Sequence, residues 1–353
     1  TSNVIELTVK APLAAKQFEP GHFYRLQNYE TFAPKMDHTS LQMEPLALIA
    51  GEVDKNHGTL KFMVIENGAS SKLCATFKIN DPVSLMGPTG VRAKISHENE
   101  TVLIIGNQLS IPLLNSYGRA LRANGNRVLY LGVFANQEEV YCKEKLEDSA
   151  DSIIWSVKNG PLIAPTRAHD FSFAGNPIEI LDLYSQICHP RAEGNALITH
   201  SREKEDTPTT HPREGGDPFV IDSRLQGVKP VISLADIDRI YVIGNSDLLR
   251  QVQAARQHLI KKYFLKDPLI YGSVFSTMQC MLKGVCAQCL QWQIDPETGL
   301  RTKAVFACSW QEQPLELIDF DNLDERQVQN RMQEILSHLW VDYLFQEFGV
   351  ARV

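Results

Sequence analysis

Apolar runs that close on glycine and pass directly into amphipathic stretches are what most constrain this chain. "TVLIIG" at 101–106 is one such run, and the stretch from Leu109 to Asn124 that follows has helical spacing. "RVLYLGVF" at 127–134 repeats the strand, and "QEEVYCKEKLEDSA" at 137–150 reads as a second helix. The unit recurs as "DRIYVIGNSDLLRQVQAARQHLIKKY" at 238–263, where Asn245 or Ser246 is the expected helix N-cap. "LIYGSVF" at 269–275 is a further strand. Fully apolar strands alternating with helices predict a parallel sheet covered on both faces, the doubly wound α/β arrangement.

The preceding residues follow a different grammar. "VIELTVKAP", "HFYRLQN", "LALIAGEV", "TLKFMVIENG" and "DPVSLMGPTG" are short alternating or apolar runs separated by turn residues. They predict a small antiparallel β-barrel over 1–95. The α/β domain then spans 96–275, a cysteine-bearing subdomain 276–312 and a terminal helix 313–353; a chain of 353 residues is long enough for more than one core. Residues 199–230 are polar and rich in proline, glycine and charge, so a surface loop is expected there. Their "HPREGGDP" resembles a translated bacterial palindromic repeat, and no function is assigned to them. Over 323–349, Val328, Met332, Ile335, Leu336, Leu339, Trp340, Tyr343 and Leu344 fall at helical spacing, giving an apolar face that packs on its own domain or docks a partner.

Three of the seven cysteines, Cys280, Cys286 and Cys289, fall within ten residues, and Cys308 follows to complete C-x5-C-x2-C-x18-C. Two irons bridged by sulfide need two thiolates each, which this set can supply, and Gly284 provides backbone freedom for a loop that wraps them. A structural zinc is the rival, although only Cys286 and Cys289 form a C-x2-C knuckle. Unmetallated buried thiols are the third reading. A catalytic cysteine would need a histidine partner, and none is near in sequence. Cys74, Cys142 and Cys188 are expected in the core. An odd cysteine count argues against a secreted disulfide framework and for a reducing, cytoplasmic setting.

Barrel, nucleotide-type domain and cysteine loop, in that order, resemble the electron-transfer subunits of bacterial dihydroorotate dehydrogenases, within the ferredoxin-reductase superfamily. "MQCMLKGVCAQC" at 278–289 and "GPTG" at 87–90 carry the likeness. The resemblance implies a ferredoxin-reductase-like fold with an FAD-type barrel, a doubly wound NAD-type domain and a C-terminal [2Fe-2S] loop. It also implies that Cys280, Cys286, Cys289 and Cys308 ligate the cluster. By the same resemblance Leu46, Ala47, Met63, Val64, Gly68 and Ala69 line FAD, while Gly106 and Gly244 face NAD(P)H.

The match is uneven. Where the family carries arginine, proline, an apolar residue and serine, this chain has Glu44, Pro45, Leu46 and Ala47. The family's basic residue after an aromatic becomes Met63 after Phe62, and its Gly-Thr turn becomes Gly68 and Ala69. The glycine-rich turn is "GNQLSIP", and the later Cys-Gly-Pro motif is Ile243, Gly244 and Asn245. These departures point to a relay that receives electrons from another flavoprotein, a dehydrogenase subunit or a fused domain. The competing reading is a non-catalytic scaffold that binds zinc through the four cysteines.

A net charge of -7 and the lack of any basic run argue against a nucleic-acid partner. No apolar stretch approaches the roughly 18 residues of a membrane span, and no export signal is visible. Thr1 runs straight into a predicted strand, which suggests a fragment or processed segment of something longer.

Overall fold

The computed structural model describes residues 3–95, 98–188, 230–274 and 278–348. Apart from Pro230, the expected loop at 199–230 lies outside the described residues. The first unit is built from antiparallel ladders. Strands β1 (Val4–Lys10) and β2 (Phe23–Asn28) are followed by a short hairpin of β3 (Lys35–Met36) and β4 (Thr39–Ser40). Then come β5 (Leu46–Leu48), β6 (Ala50–Asp54), β7 (Thr59–Ile65) and β8 (Val83–Thr89). They pair as β1-β7-β6 and β5-β2-β8.

The period of two along β7 sets its register. Leu60, Phe62 and Val64 point into the barrel core with Tyr24, and Phe62 meets Tyr24 edge-on with ring centroids 5.6 Å apart. Met63 emerges on the opposite face and joins the core of the next domain. Gly51 lies against the same side chain: a Cβ there would sit 2.8 Å from Met63 Cε. Helix α1 (Pro12–Lys16) lies over one end of the barrel, and α2 (Ala69–Leu73) follows the turn at Gly68.

The second domain is the predicted parallel sheet. Strands β9 (Thr101–Gly106), β10 (Arg127–Phe134), β11 (Ser152–Val157), β12 (Phe171–Ala174), β13 (Arg239–Gly244) and β14 (Leu269–Val274) lie in the order β12-β11-β10-β9-β13-β14. Helices α3 (Ile111–Ala123) and α4 (Lys143–Ser149) cover one face, where Ile104, Tyr130, Ile153 and Trp155 are buried. Helices α5 (Pro177–Cys188) and α6 (Ser246–Tyr263) cover the other, over Leu103, Leu129, Ile154 and Val242. Burial on both faces is why these strands read as unbroken apolar runs. The N-cap of α6 is Asn245, whose Oδ1 accepts from Leu248 N at 3.1 Å.

Three expectations are corrected. "QEEVYCKEKLEDSA" is not one helix, but a 3-10 turn over Gln137–Glu139 and then α4. Tyr141 is drawn into the core, its hydroxyl donating to Gln108 O at 3.2 Å, and Cys142 turns the chain at φ +54°. Cys74 is buried as expected, whereas Cys142 and Cys188 are only partly buried, at the rims of their cores. The terminal region is two helices, α7 (Phe320–Gln327) and α8 (Arg331–Glu347), preceded by a short strand.

The chain leaves β14 for the cysteine loop and a hairpin of β15 (Leu290–Ile294) and β16 (Arg301–Phe306). Its turn is set by Asp295, whose Oδ1 accepts from Glu297 N and Thr298 N at 2.8 and 3.0 Å. Strand β17 (Gln313–Pro314) then pairs antiparallel beside β14, tying the hairpin to the large sheet. A buried glutamine ladder makes the joint: Gln293 donates to Gln313 at 3.1 Å and Gln313 to Gln291 at 3.0 Å. Among the described residues no helix is long and apolar enough to cross a membrane.

Candidate metal centre

The loop from Cys280 to Cys289 is bent by left-handed residues: Met281, Leu282, Gly284 and Ala287 have φ of 54°, 67°, 67° and 53°. Outside glycine this conformation is uncommon and is retained where surroundings impose it. Here the bends turn successive N–H groups inward, so that Cys280 Sγ accepts from the backbones of Cys286, Val285 and Gly284. Such a concave row of donors favours an anion. The Cys286 N–H is the largest cause holding the Cys280 thiol down, at about 7, and the Cys286 side chain adds to it. Arg326 of α7 fastens the loop from outside, donating to Ala287 O at 2.5 Å.

The hairpin returns the fourth cysteine. Cys289 precedes β15 and Cys308 follows β16, and Ala307 N donates to Cys289 O at 3.0 Å across the hairpin base. Both thiols are buried against Phe23 and Ala307. Burial pushes the Cys308 thiol up to about 12, and its side-chain hydrogen bond with Cys289 acts in the same direction. The four sulfurs thus gather as two pairs, a partly exposed Cys280–Cys286 pair and a buried Cys289–Cys308 pair. Among the described residues no group of three or more His, Cys, Asp or Glu side chains is placed to hold a metal ion. A binuclear cluster takes two thiolates per iron, whereas a tetrahedral zinc takes all four at one point.

Beside Cys308 lies a mainly apolar cavity walled by Phe23, Ala47 and Ile49 of the barrel, Tyr117 of α3, Tyr241 of β13 and the segment Gln311–Glu312. Burial pushes the Glu312 carboxyl up to about 7, against the opposing pull of Arg239 and Lys94. Sequence reasoning missed Glu312, because "SWQEQP" reads as an ordinary polar link. It missed Tyr117 and Tyr241 as well, since a tyrosine in an apolar run signals only packing.

The other expected site residues are placed unevenly. Ala47 faces the cavity, whereas Leu46 packs on the barrel core. Met63 and Val64 are buried in two different cores. Gly68 is the N-cap of α2, and Ala69 packs on the barrel. The donors at this turn are consumed internally, since Asn67 N and Gly68 N both donate to Ser71 Oγ, at 3.1 and 3.0 Å. Glu44 N bonds Ser70 Oγ at 2.9 Å, and Lys72 is ion-paired with Asp342. Glu44 brings a carboxylate and Lys72 is paired, neither of which favours a flavin diphosphate at this turn, whereas Arg25, opposite Ala47 on β2, keeps a buried Nε without a hydrogen-bond partner.

Gly106 and Gly244 end the neighbouring strands β9 and β13, at the point where the strand order reverses and such sheets bind ligands. Both glycines are packed closely by the chain itself. A Cβ on Gly106 would lie 2.1 Å from Ser110 Oγ, and one on Gly244 would lie 2.7 Å from Asn107 Oδ1. Ser110 is fixed by hydrogen bonds to Asn107 O at 2.7 Å and Tyr130 Oη at 3.0 Å. Pro112 removes one N–H from the first turn of α3, and Asn107 Oδ1 occupies that of Leu109. These residues do not fit a dinucleotide pyrophosphate, which needs an open glycine turn and free helix N–H groups.

No family model matches the chain. An uncharacterised protein of Rickettsia prowazekii is 28% identical over 334 residues, which are 94% of this chain and 31% of that protein. The dihydroorotate dehydrogenase B (NAD(+)) electron-transfer subunit of Bacillus cereus is 26% identical over 157 residues, 44% of this chain and 58% of the subunit. The chain therefore spans about a third to somewhat over half the length of these relatives. Among solved structures, an NADH-dependent reduced ferredoxin-NADP oxidoreductase, described in work on flavin-based electron bifurcation, superposes with a TM-score of 0.64 at 17% identity. The superposition covers 95% of this chain and 92% of that one. Barrel, parallel sheet and cysteine hairpin give the chain a ferredoxin-reductase-like fold, and part of its sequence is similar to that of an electron-transfer subunit.

Proposed function

We propose that the chain is the electron-transfer component of a flavin-linked oxidoreductase, relaying electrons through a [2Fe-2S] cluster to or from a partner flavoprotein. The observation that carries this reading is the return of Cys308 beside Cys289 across the hairpin base, with Met281 of the Cys280–Cys289 loop packed against both. When bound, the cluster would supply one-electron storage at a potential set by charge, hydrogen bonds to sulfur and solvent access.

The chain's own residues do the holding and tuning. Cys280 and Cys286 would hold the more exposed iron. Cys289 and Cys308 would hold the buried one, with Phe23 and Ala307 excluding water. The N–H groups of Gly284, Val285 and Cys286 favour added negative charge at Cys280, which raises the readiness of the site to accept an electron. No step is assigned to flavin or nicotinamide on this chain. In this reading the flavin resides on the partner.

Anaerobic purification followed by iron, acid-labile sulfide, zinc and flavin analysis tests the proposal. About two iron and two sulfide per chain without stoichiometric FAD is the expected result. Stoichiometric zinc would return the scaffold reading, and stoichiometric FAD would make the chain a complete reductase.

A further inference from the structure

Helix α3 carries on its buried side a polar residue that the fold does not use. Asn115 is 1% exposed, and among the described residues neither its Nδ2 nor its Oδ1 has a hydrogen-bond partner. Asparagine is a poor helix former, and a buried amide without partners gives up the hydrogen bonds it had in water. Leucine at this position would avoid both costs. A buried orphan of this kind calls for a group from outside the chain to complete its bonding.

Asn115 lines a polar cleft between the barrel and α3, of about 1200 Å³ with its open mouth included. The cleft shares no lining residue with the cavity at Glu312, and none of the cysteines borders it. Its charged walls balance, with Glu19, Glu52 and Asp54 against Lys55, Lys61 and Arg119. Some of these are committed within the chain: Lys61 pairs with Glu6 at 2.8 Å, Glu52 with Lys145, and Asp54 with His57. Arg119 is less held, since its pair with Asp148 is exposed and 3.8 Å long. It stands one turn beyond Asn115 on the same face of α3, about 6 Å along the axis.

We propose that this cleft binds a free amino acid with a carboxamide side chain, glutamine by its length. A walled cleft of balanced charge suits a zwitterion better than an anion or a cation. The Asn115 amide presents a donor and an acceptor side by side, which a second carboxamide matches in reverse. Arg119 and Lys55 suit the α-carboxylate, and Glu19 suits the α-ammonium. In glutamine the carboxamide and carboxylate carbons are four bonds apart, about 5 Å when extended, close to the helical step from Asn115 to Arg119. The amide is closed from bulk water, so the ligand enters by swinging a lining side chain aside, and Lys55 and Arg119 are long and exposed. The assignment does not depend on the cluster reading.

Titration calorimetry of the whole chain with L-glutamine and L-glutamate, together with thermal unfolding, tests it. Glutamine should bind with a dissociation constant of about 1 mM or tighter and raise the unfolding temperature. Glutamate, whose second carboxylate has no donor to offer Asn115 Oδ1, should bind at least about tenfold more weakly. Asn115→Leu should lose glutamine affinity at least about tenfold yet unfold at a higher temperature than the wild type without ligand, because the orphaned amide is gone. Arg119→Met should weaken glutamine by a similar factor, with the ligand-free unfolding temperature unchanged. No binding of glutamine at 10 times that concentration, about 10 mM, would overturn the assignment. So would equal affinity for glutamate, undiminished binding by Asn115→Leu or Arg119→Met, or an Asn115→Leu chain that unfolds below the wild type, which would show that the amide serves the fold.

Discussion

Replacing Glu312 by glutamine should make stability less dependent on pH, by an amount the structure sets. The carboxyl lines the cavity between barrel, sheet and cysteine hairpin, and burial raises it from 4.5 to about 7 even though Arg239 and Lys94 pull the other way. Between those values the folded chain holds a proton that the unfolded chain has released. Stability is therefore fully present below pH 4.5 and is lost as pH rises through 7. At 1.36 kcal/mol per unit the loss is at most about 3 kcal/mol, and water at the open side of the group reduces it. Glutamine keeps the shape and carries no titrating charge. Denaturant unfolding of both proteins from pH 5 to pH 8 should show the E312Q variant gaining on the wild type by about 1 kcal/mol per pH unit, levelling off near pH 8. A stability difference that stays constant across this range would refute the reasoning, because it would mean that the carboxylate is solvated in the folded chain.

Other perturbations separate the roles of the cysteines and of the packing. Cys308→Ser should abolish the visible absorption of the cluster, whereas Cys74→Ser should keep it, since Cys74 lies in the barrel core with its thiol pushed up to about 12 by burial. Paired spectra of the reconstituted variants check this. Leu344→Ala removes a fully buried side chain between α8 and the barrel and should cost about 2–5 kcal/mol in denaturant unfolding. Calorimetric titration with NADH should detect no binding at submillimolar concentration, because Ser110 and Asn107 pack closely on Gly106 and Gly244 and Asn107 Oδ1 occupies the Leu109 N–H; micromolar affinity would show that this turn rearranges.

The features legible in the sequence were those set by local periodicity. Strands β9, β10 and β13 are continuous apolar runs because both their faces are covered, and Asn245 is a cap because its side chain stands one turn ahead of Leu248 N. Tertiary forces decided the rest. Tyr141 broke the expected second helix by reaching inward to Gln108, a contact that no helical spacing encodes. The apolar positions of α8 were visible, but which of them face the barrel depends on the fit of Val341, Leu344 and Phe345 around α2. The cysteine spacing named the four thiols. Their division into a buried and an exposed pair comes from the β15–β16 hairpin, whose return over Arg301–Phe306 carries little apolar patterning. Glu312 was invisible, since nothing in "SWQEQP" marks a carboxyl that burial raises to about 7.

Electron paramagnetic resonance of the anaerobically purified, dithionite-reduced chain tests the central claim most directly. The account predicts a rhombic signal from one unpaired electron shared by two irons, integrating to about one spin per chain and absent from Cys308→Ser. A silent spectrum from a chain that holds tetrahedral zinc, or an unaltered signal after loss of Cys308, would contradict it.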